Sequence, residues 1–426
     1  MRWRVTPAVI GGQTEAPGDK SIAHRALMLA SLASGFSRIN RLPPGADVRS
    51  TAQCLRRLGA DLRIDENVAF MISTGRLSAP QAPLDAGNSG TTMRLLAGIL
   101  AGQPFDSCLI GDESLSRRPM SRIVAPLNAM GASIQARNGG APLEIHGRRL
   151  HGIDYALPMA SAQVKSAILL AGLFAEGATS VTEPHRSRDH TERMLAALGV
   201  EVQVKGLRTT LRGGQLPRAF TMSVPGDLSS ASFLVVAAAM SGGEVTIDDV
   251  GLNPTRSGLL DVLRDMGADV EISDRPQEMG EPVGRPRVSG PIRMPITVEA
   301  AQVPRLVDEL PLVVLLATQA PGTSAIRGAA ELRVKETDRI ATVASSLRRL
   351  GADLDELVDG FVVRGPTALR GCNVSSHSDH RLAMLLAVAG AIADGETVVD
   401  GVEAADVSFP NFAEVLRSLG GNIERV

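Results

Sequence analysis

The sequence predicts an α/β protein of two domains, assembled from six copies of one helix–strand unit. Three observations predict it. A helix end runs into a glycine turn six times, at Leu58-Gly59-Ala60, Met130-Gly131-Ala132, Leu198-Gly199-Val200, Met266-Gly267-Ala268, Leu350-Gly351-Ala352 and Leu419-Gly420-Gly421. Glycine just past a helix supplies the left-handed conformation that a Cβ penalises. A second signal, a polar loop opening onto an Ala/Leu-rich helix and then an apolar strand, begins near Gly18, Gly87, Ala160, Gly226, Val307 and Ser378. Finally, 426 residues exceed one ordinary core, and six units divide most simply into three plus three.

Taken in chain order, Gly18-Asp19-Lys20-Ser21 opens a helix whose apolar spacing runs from Ile22 to Leu32, with Gly35 closing it. Asn88-Ser89-Gly90-Thr91-Thr92 opens the next, with a glycine where backbone can approach a ligand closely. Ser161-Ala162-Gln163 precedes the apolar stretch 167–173, and Gly226 precedes 233–240. Val307-Asp308-Glu309-Leu310 opens the fifth, and Ser378-Asp379-His380-Arg381 leads into 382–390. Helices this poor in long polar residues are buried on all sides, so their polar N-terminal ends are what they can present. Ser and Asp there serve as N-caps on the plainest reading, but caps do not explain the cations. The strands are short and alternating, as in Val200–Val204 and Asp269–Ile272, which fits half-buried strands around a helical interior. Residues 273–295, rich in Pro, Gly and Arg, read as an exposed loop or hairpin within one unit.

Composition narrows the function classes. With 44% hydrophobic and 21% charged residues and a formal net charge of −2, nothing points to nucleic acid or a membrane. The longest apolar run, Leu382 to Ala393, is too short for a span of about 20 residues. The N-terminus lacks a signal-peptide core, and three scattered cysteines, Cys54, Cys108 and Cys372, suit a reducing cytoplasm. His377 and His380 have no ligand cluster around them, so no metal is expected.

Lysine usage discriminates further. Among 44 Lys and Arg residues, lysine stands only at 20, 165, 205 and 335. A chain so biased to arginine keeps lysine where a compact ammonium is needed. Lys20 and Lys335 lie in dense polar clusters, Lys165 is open between a ligand contact and a surface charge, and Lys205 reads as a solvated face. If Arg333–Arg339 is helical, Lys335 and Arg339 share a face and await an anion, while Glu336 and Asp338 point elsewhere. Glu336 is then available as a general acid/base. Arg118 and Arg381 add planar forks suited to carboxylate or phosphate. Neither Gly18-Asp19-Lys20-Ser21 nor Gly87-Asn88-Ser89-Gly90 has P-loop or dinucleotide spacing. From residues alone the expectation is an interdomain cleft lined by helix starts that takes a small, multiply charged anion.

Pro17-Gly18-Asp19-Lys20-Ser21, Gly87-Asn88-Ser89-Gly90-Thr91, Ser161-Ala162-Gln163, Arg333-Val334-Lys335-Glu336-Thr337-Asp338-Arg339 and Asp379-His380-Arg381 together closely resemble the EPSP synthases (3-phosphoshikimate 1-carboxyvinyltransferases) of the enolpyruvyl transferase family. The resemblance runs in order over essentially the whole chain. It implies transfer of the enolpyruvyl group of phosphoenolpyruvate to the 5-hydroxyl of shikimate 3-phosphate, with no metal or organic cofactor. It also implies the two-domain inside-out α/β barrel, with residues 1–17 plus 228–426 as a discontinuous first domain and 18–227 as the second. A cytoplasmic monomer acting on small molecules is expected. Carried over by motif, Lys20, Gly90, Arg118, Gln163, Arg339 and Arg381 would hold phosphoenolpyruvate. Lys20, Ser21, Arg25, Ser161, Gln163, Arg188, Asp308 and Lys335 would hold shikimate 3-phosphate. Asp308 would take the hydroxyl proton and Glu336 would donate to the methylene, with Lys20 as a third catalytic group.

The resemblance has departures. Many members carry a lysine just before the C-terminal Ser/Thr-Phe-Pro segment, where this chain has Val407 before Ser408-Phe409-Pro410. The segments Ser161–Lys165, Arg188–Glu192 and Asn253–Arg256 look like the second, glyphosate-tolerant class. A sister transferase acting on UDP-N-acetylglucosamine is a poorer match, because its loop carries a reactive cysteine and 111–122 has none. A non-catalytic repeat scaffold would want an extended polar face, and this chain instead buries its repeats.

Overall fold

A computed structural model describes residues 1–426. All six helices expected from the polar-loop signal are present: Lys20–Leu32, Gly90–Ala101, Ala162–Gly172, Leu228–Ser241, Leu310–Ala317 and His380–Gly390. Each is buried along nearly its whole length. Five begin with a side-chain cap, since Asp19, Ser89, Ser161, Asp227 and Asp379 each accept an N–H of the first turn. That satisfies a donor the helix start would otherwise leave over. The helix Leu310–Ala317 has no such cap, and Pro311 in its first turn has no N–H to satisfy.

The glycine turns follow a second set of helices: Ala46–Arg57, Ser121–Ala129, His190–Ala197, Gly258–Asp265, Arg339–Arg349 and Phe412–Ser418. Gly59, Gly131, Gly199, Gly267, Gly351 and Gly420 have φ of 88, 95, 88, 93, 98 and 95°. Left-handed geometry is why glycine recurs there.

Five of the glycine turns lead into a hairpin, where the sequence pattern showed one strand; after Gly420 the last strand, Asn422–Arg425, pairs instead with Arg2–Thr6. After Gly59, Asp61–Asp65 pairs antiparallel with Val68–Thr74, which pairs with Ser34–Asn40, and Thr221–Ser223 adds a parallel edge. Five other main sheets follow the same plan. All are open, with two ends to each strand order, so the fold is mixed α/β without a closed barrel.

The chain divides into two compact units. The first comprises Met1–Pro17, Gly226–Pro276 and Pro282–Val426; the second comprises Gly18–Pro225 and Gln277–Glu281. In the first, the helices Leu228–Ser241, Leu310–Ala317 and His380–Gly390 pack on one another. The Trp3 ring, tilted, and the Phe409 ring, edge-on, pack against Phe412 at centroid distances of 5.4 and 5.5 Å. In the second, Gly90–Ala101 lies close against Ala162–Gly172. A Cβ on Gly98 would come within 2.2 Å of the Ala167 carbonyl, so only glycine permits that approach.

Two details differ from the sequence boundaries. Gly226 and Asp227 group with the first unit. Residues 273–295 carry the expected hairpin, Asp269–Glu278 with Glu281–Ser289, but it is not confined to one unit, since its tip, Gln277–Glu281, groups with the second. The cause is specific bonding. Glu278 accepts the Ser223 N–H at 2.9 Å, the Gly280 carbonyl accepts from Arg193 at 3.0 Å, and fully buried Glu281 meets His190 Nδ1 at 2.8 Å.

Candidate active site

In the second unit, the start of the helix Lys20–Leu32 carries three of the expected residues. Lys20 Nζ donates to Asp47 Oδ2 at 3.0 Å. Ser21 offers its carbonyl to Arg25 Nη1 at 2.9 Å. Arg25 is only 4% exposed, and its Nε and Nη2 donate to the Thr191 and Ser166 hydroxyls, both at 2.7 Å. Burial pushes the Arg25 guanidinium down to about 10, Glu192 opposes that, and the positive charge of Arg188 adds to it. Arg25 stays charged at neutral pH while facing neutral oxygens, which suits a group that must attract an anion.

His24, between these residues, turns inward. Its Nδ1 meets Thr51 Oγ1 at 2.6 Å, Thr51 meets Thr92 Oγ1 at 2.7 Å, and Thr92 donates to Ser89 Oγ at 2.7 Å. This hydroxyl chain ties three helices together, Lys20–Leu32, Ala46–Arg57 and Gly90–Ala101. Burial drives the imidazole down to about 3, so it is neutral at physiological pH.

Beside Ser89, Gly90 is the first residue of its helix, and a Cβ there would meet Arg94 Nη1 at 2.5 Å. The open flank at Gly90 thus admits a guanidinium. Arg94 Nη1 donates to Gln163 Oε1 at 2.8 Å, while Gln163 Nε2 donates to Thr91 Oγ1 at 3.0 Å. Arg118 Nη2 donates to Asn88 Oδ1 at 2.7 Å. Gly90, Arg118 and Gln163 therefore gather around Arg94, which the sequence reading passed over. Its only signal was a position four residues into the Gly90 helix. Ser161 caps the helix that carries Gln163, and Arg188 lies in the half-buried segment before His190–Ala197.

In the first unit, one guanidinium organises the site. Arg339 is 2% exposed; its Nε donates to Asp379 Oδ2 at 2.7 Å and its Nη2 to Glu336 Oε2 at 2.6 Å. Its Nη1 lies 3.6 Å from Asp308 Oδ1. Burial alone would lower Arg339, but Glu336, Asp379 and Asp308 hold it well above the usual arginine value. Arg381 Nη2 stands 3.6 Å from Asp308 Oδ2. Lys335 is turned to Glu331, 2.8 Å away.

This corrects the helical reading of Arg333–Arg339. A 3₁₀ turn, Ala330–Val334, ends at extended Lys335, and the α-helix starts at Arg339 with Asp338 as its cap. Arg333 holds the turn open through Asp338, Glu356 and the carbonyls of Leu357 and Val358. Lys335 and Arg339 therefore share no helix face, and Glu336 reaches toward Arg339.

Asp379, which the sequence offered only as a helix cap within a family motif, has a second role. It is fully buried, bonds Arg339 through both oxygens and also accepts the Arg381 N–H at 2.9 Å. Burial would raise its carboxyl, but Arg339 and His380 hold it below the usual range. The chain enters it through two non-glycine residues in left-handed conformation, His377 and Ser378, with φ of 50 and 60°. Such strain persists only where the surroundings impose it. Val407, at the end of a 3₁₀ turn, supplies no charge to replace the absent lysine.

Comparison with known proteins adds an independent line. A family model described as EPSP synthase (3-phosphoshikimate 1-carboxyvinyltransferase) matches residues 6–416. The chain is 52% identical to the 3-phosphoshikimate 1-carboxyvinyltransferase of Geobacillus kaustophilus, over 98% of this chain and 100% of that protein. It is 47% identical to the Bacillus subtilis protein of the same name, over 96% of this chain and 97% of that one. Among solved structures, EPSP synthase from Acinetobacter baumannii aligns with a TM-score of 0.89 at 41% identity, covering 99% of both chains.

Proposed function

Starting from the fact that the chain belongs to the EPSP synthase family, we propose which of its residues carry the family's reaction. The enzyme transfers the enolpyruvyl group of phosphoenolpyruvate to the 5-hydroxyl of shikimate 3-phosphate, giving 5-enolpyruvylshikimate 3-phosphate and phosphate. Addition needs a proton on the methylene carbon, a proton taken from the hydroxyl, and a new bond from that oxygen to the central carbon. Elimination then breaks the carbon–phosphate oxygen bond and removes a proton from the new methyl group.

Asp308 takes the hydroxyl proton; Glu336 gives a proton to the methylene and takes one back during elimination. The observation that carries this reading is that both carboxylates sit on one buried guanidinium, Glu336 at 2.6 Å and Asp308 at 3.6 Å from Arg339. A shared cation fixes two acid/base groups relative to each other and to whatever oxyanion it binds. Asp379 holds the Nε edge of Arg339, which leaves the Nη1 edge facing Asp308 for the phosphoenolpyruvate carboxylate or phosphate. In the first unit Arg381 is a further phosphoenolpyruvate contact; in the second unit Lys20, Arg118, Gln163 and the Gly90 backbone are, joined by Arg94 through its bond to Gln163. Ser21, Arg25, Ser161, Gln163, Arg188 and Lys335 hold shikimate 3-phosphate with Lys20 and Asp308. Three free cysteines suit a cytoplasmic enzyme, and we read the working form as a monomer.

A coupled assay for phosphate released from both substrates tests this assignment. Asp308→Ala and Glu336→Ala should each lower kcat by about 10²- to 10⁴-fold, the usual worth of a positioned acid or base. Near-normal kcat in either folded variant would remove that carboxylate from the chemistry.

A further inference from the structure

Lys165 is the most deeply buried lysine in the chain, at 1% exposure, and neither the proposed chemistry nor the surface accounts for it. Its Nζ lies 2.7 Å from Glu183 Oε2 and 2.8 Å from Glu192 Oε1, with the Ser187 carbonyl at 3.5 Å. Both carboxylates are themselves buried, and the Ser187 hydroxyl donates to Glu183. One ammonium thus serves two carboxylates in the interior of the second unit. Burial would lower the Lys165 ammonium, yet Glu192 and Glu183 hold it above the usual lysine range. Burial wins at Glu192, whose carboxyl is raised although Lys165 opposes it. A hydrophobic residue of similar volume would avoid this desolvation, so the knot needs a reason beyond stability.

Its location supplies one. Lys165 lies one helical turn after Ser161 and two residues after Gln163. Glu183 and Ser187 bracket the segment that leads to Arg188, and Glu192 follows Thr191, which orients the Arg25 Nε. The next residue after Lys165, Ser166, orients the Arg25 Nη2. Ser161, Gln163, Arg188 and the Arg25 guanidinium are therefore all fastened to the same point within a few residues.

We propose that Lys165 is a positioning residue for shikimate 3-phosphate: clamped between Glu183 and Glu192, it sets Ser161 and Gln163 against Arg188 and Arg25. It touches no substrate. The inference rests on the assignment of those four residues given above. Displacements of about 1 Å in binding groups cost up to about a hundredfold, so the expected effect is large for a residue outside the site.

The test measures steady-state kinetics with both substrates, shikimate 3-phosphate affinity by calorimetry, and thermal midpoint. Lys165→Met should raise the KM and Kd for shikimate 3-phosphate about ten- to hundredfold, with kcat within about twofold and a smaller, roughly few-fold rise in the KM for phosphoenolpyruvate through Gln163. Combining Lys165→Met with Glu183→Gln and Glu192→Gln removes the stranded charges, so the thermal midpoint should recover while the raised KM persists. A KM that recovers with the midpoint, or an unchanged KM in Lys165→Met, overturns the proposal. Should Lys165→Met fail to fold, Glu183→Gln carries the test: a KM raised about threefold supports the clamp and an unchanged one overturns it. Arg188→Ala separates the two layers. If it leaves shikimate 3-phosphate binding unchanged, the site assignment has failed and the clamp with it; if it weakens binding while Lys165→Met does not, only the clamp has failed.

Discussion

The two units hold their buried arginines in opposite ways. In the first, Arg339 is surrounded by carboxylates: Asp379 and Glu336 in direct bonds and Asp308 at 3.6 Å. In the second, Arg25 is buried almost as deeply, but its bonds go to a carbonyl and two hydroxyls. Neutral acceptors fix a guanidinium in space and leave its charge available to an incoming phosphate. Carboxylates neutralise a guanidinium and gain fixed positions themselves, as acid/base groups require. The contrast divides the reaction, with binding concentrated on one group and proton transfer on the other.

Removing each arginine should expose the difference most strongly. Arg339→Ala strands the buried Asp379 carboxylate and leaves half-buried Glu336 without its cation. It should cost about 3–5 kcal/mol of stability, the usual penalty for breaking a buried ion pair from one side. Arg25→Ala leaves only hydroxyls and a carbonyl without donors, so about 1–3 kcal/mol is expected. Denaturant midpoints of the two purified variants check the order. Equal losses would mean that the carboxylate ring is no more than neutral scaffolding.

Activity offers the next test. Lys20→Ala and Arg381→Ala each remove a charge from a substrate contact, worth about 1.5–3 kcal/mol, and should lower kcat/KM about ten- to hundredfold without unfolding. Near-normal turnover in either would take that residue out of the site.

The units should also differ in acid. His24 binds its proton only near pH 3 when folded but near 6.5 when unfolded, so protons favour the unfolded chain between those values. Stability should fall as pH drops from about 6.5, by about 1.4 kcal/mol per pH unit, and His24→Gln should flatten that slope. Asp379 is depressed in the fold, so its stabilisation is present above the ordinary aspartate value of 3.8 and is lost only below it. Asp379→Asn should therefore change the acid limb below about pH 4 and leave the His24 slope intact. Denaturation followed across pH 3–7 reads both.

The smallest expected effect is at Gly90. A Cβ there meets the far end of the Arg94 side chain, which can swing aside. Gly90→Ala should raise the KM for phosphoenolpyruvate a few-fold, about 1 kcal/mol, by loosening Arg94 from Gln163. An unchanged KM would mean that Arg94 is not part of the anion site.

What could be read from sequence follows physical range. Gly59 and its five counterparts were legible because left-handed backbone selects glycine locally. The helix starts capped by Ser or Asp were legible because a cap bonds an N–H only two or three residues on, again a local demand. Asp308 carried no local signal and entered only through the family resemblance. Lys165 was ambiguous because its partners lie 18 and 27 residues away, and the hairpin tip at Glu281 bonds His190 across 91 residues. The helical reading of Arg333–Arg339 failed because it followed charge spacing and overlooked the cap at Asp338, which places the start of the helix after the cluster.

The central claim is that Glu336, held on Arg339, moves the methylene proton. Turnover of phosphoenolpyruvate and shikimate 3-phosphate in heavy water tests it directly, by following deuterium in the methylene group of substrate and product. Wild-type enzyme should incorporate solvent deuterium, and Glu336→Gln should lose incorporation in parallel with turnover. Deuterium entering at the wild-type rate in Glu336→Gln would contradict the account.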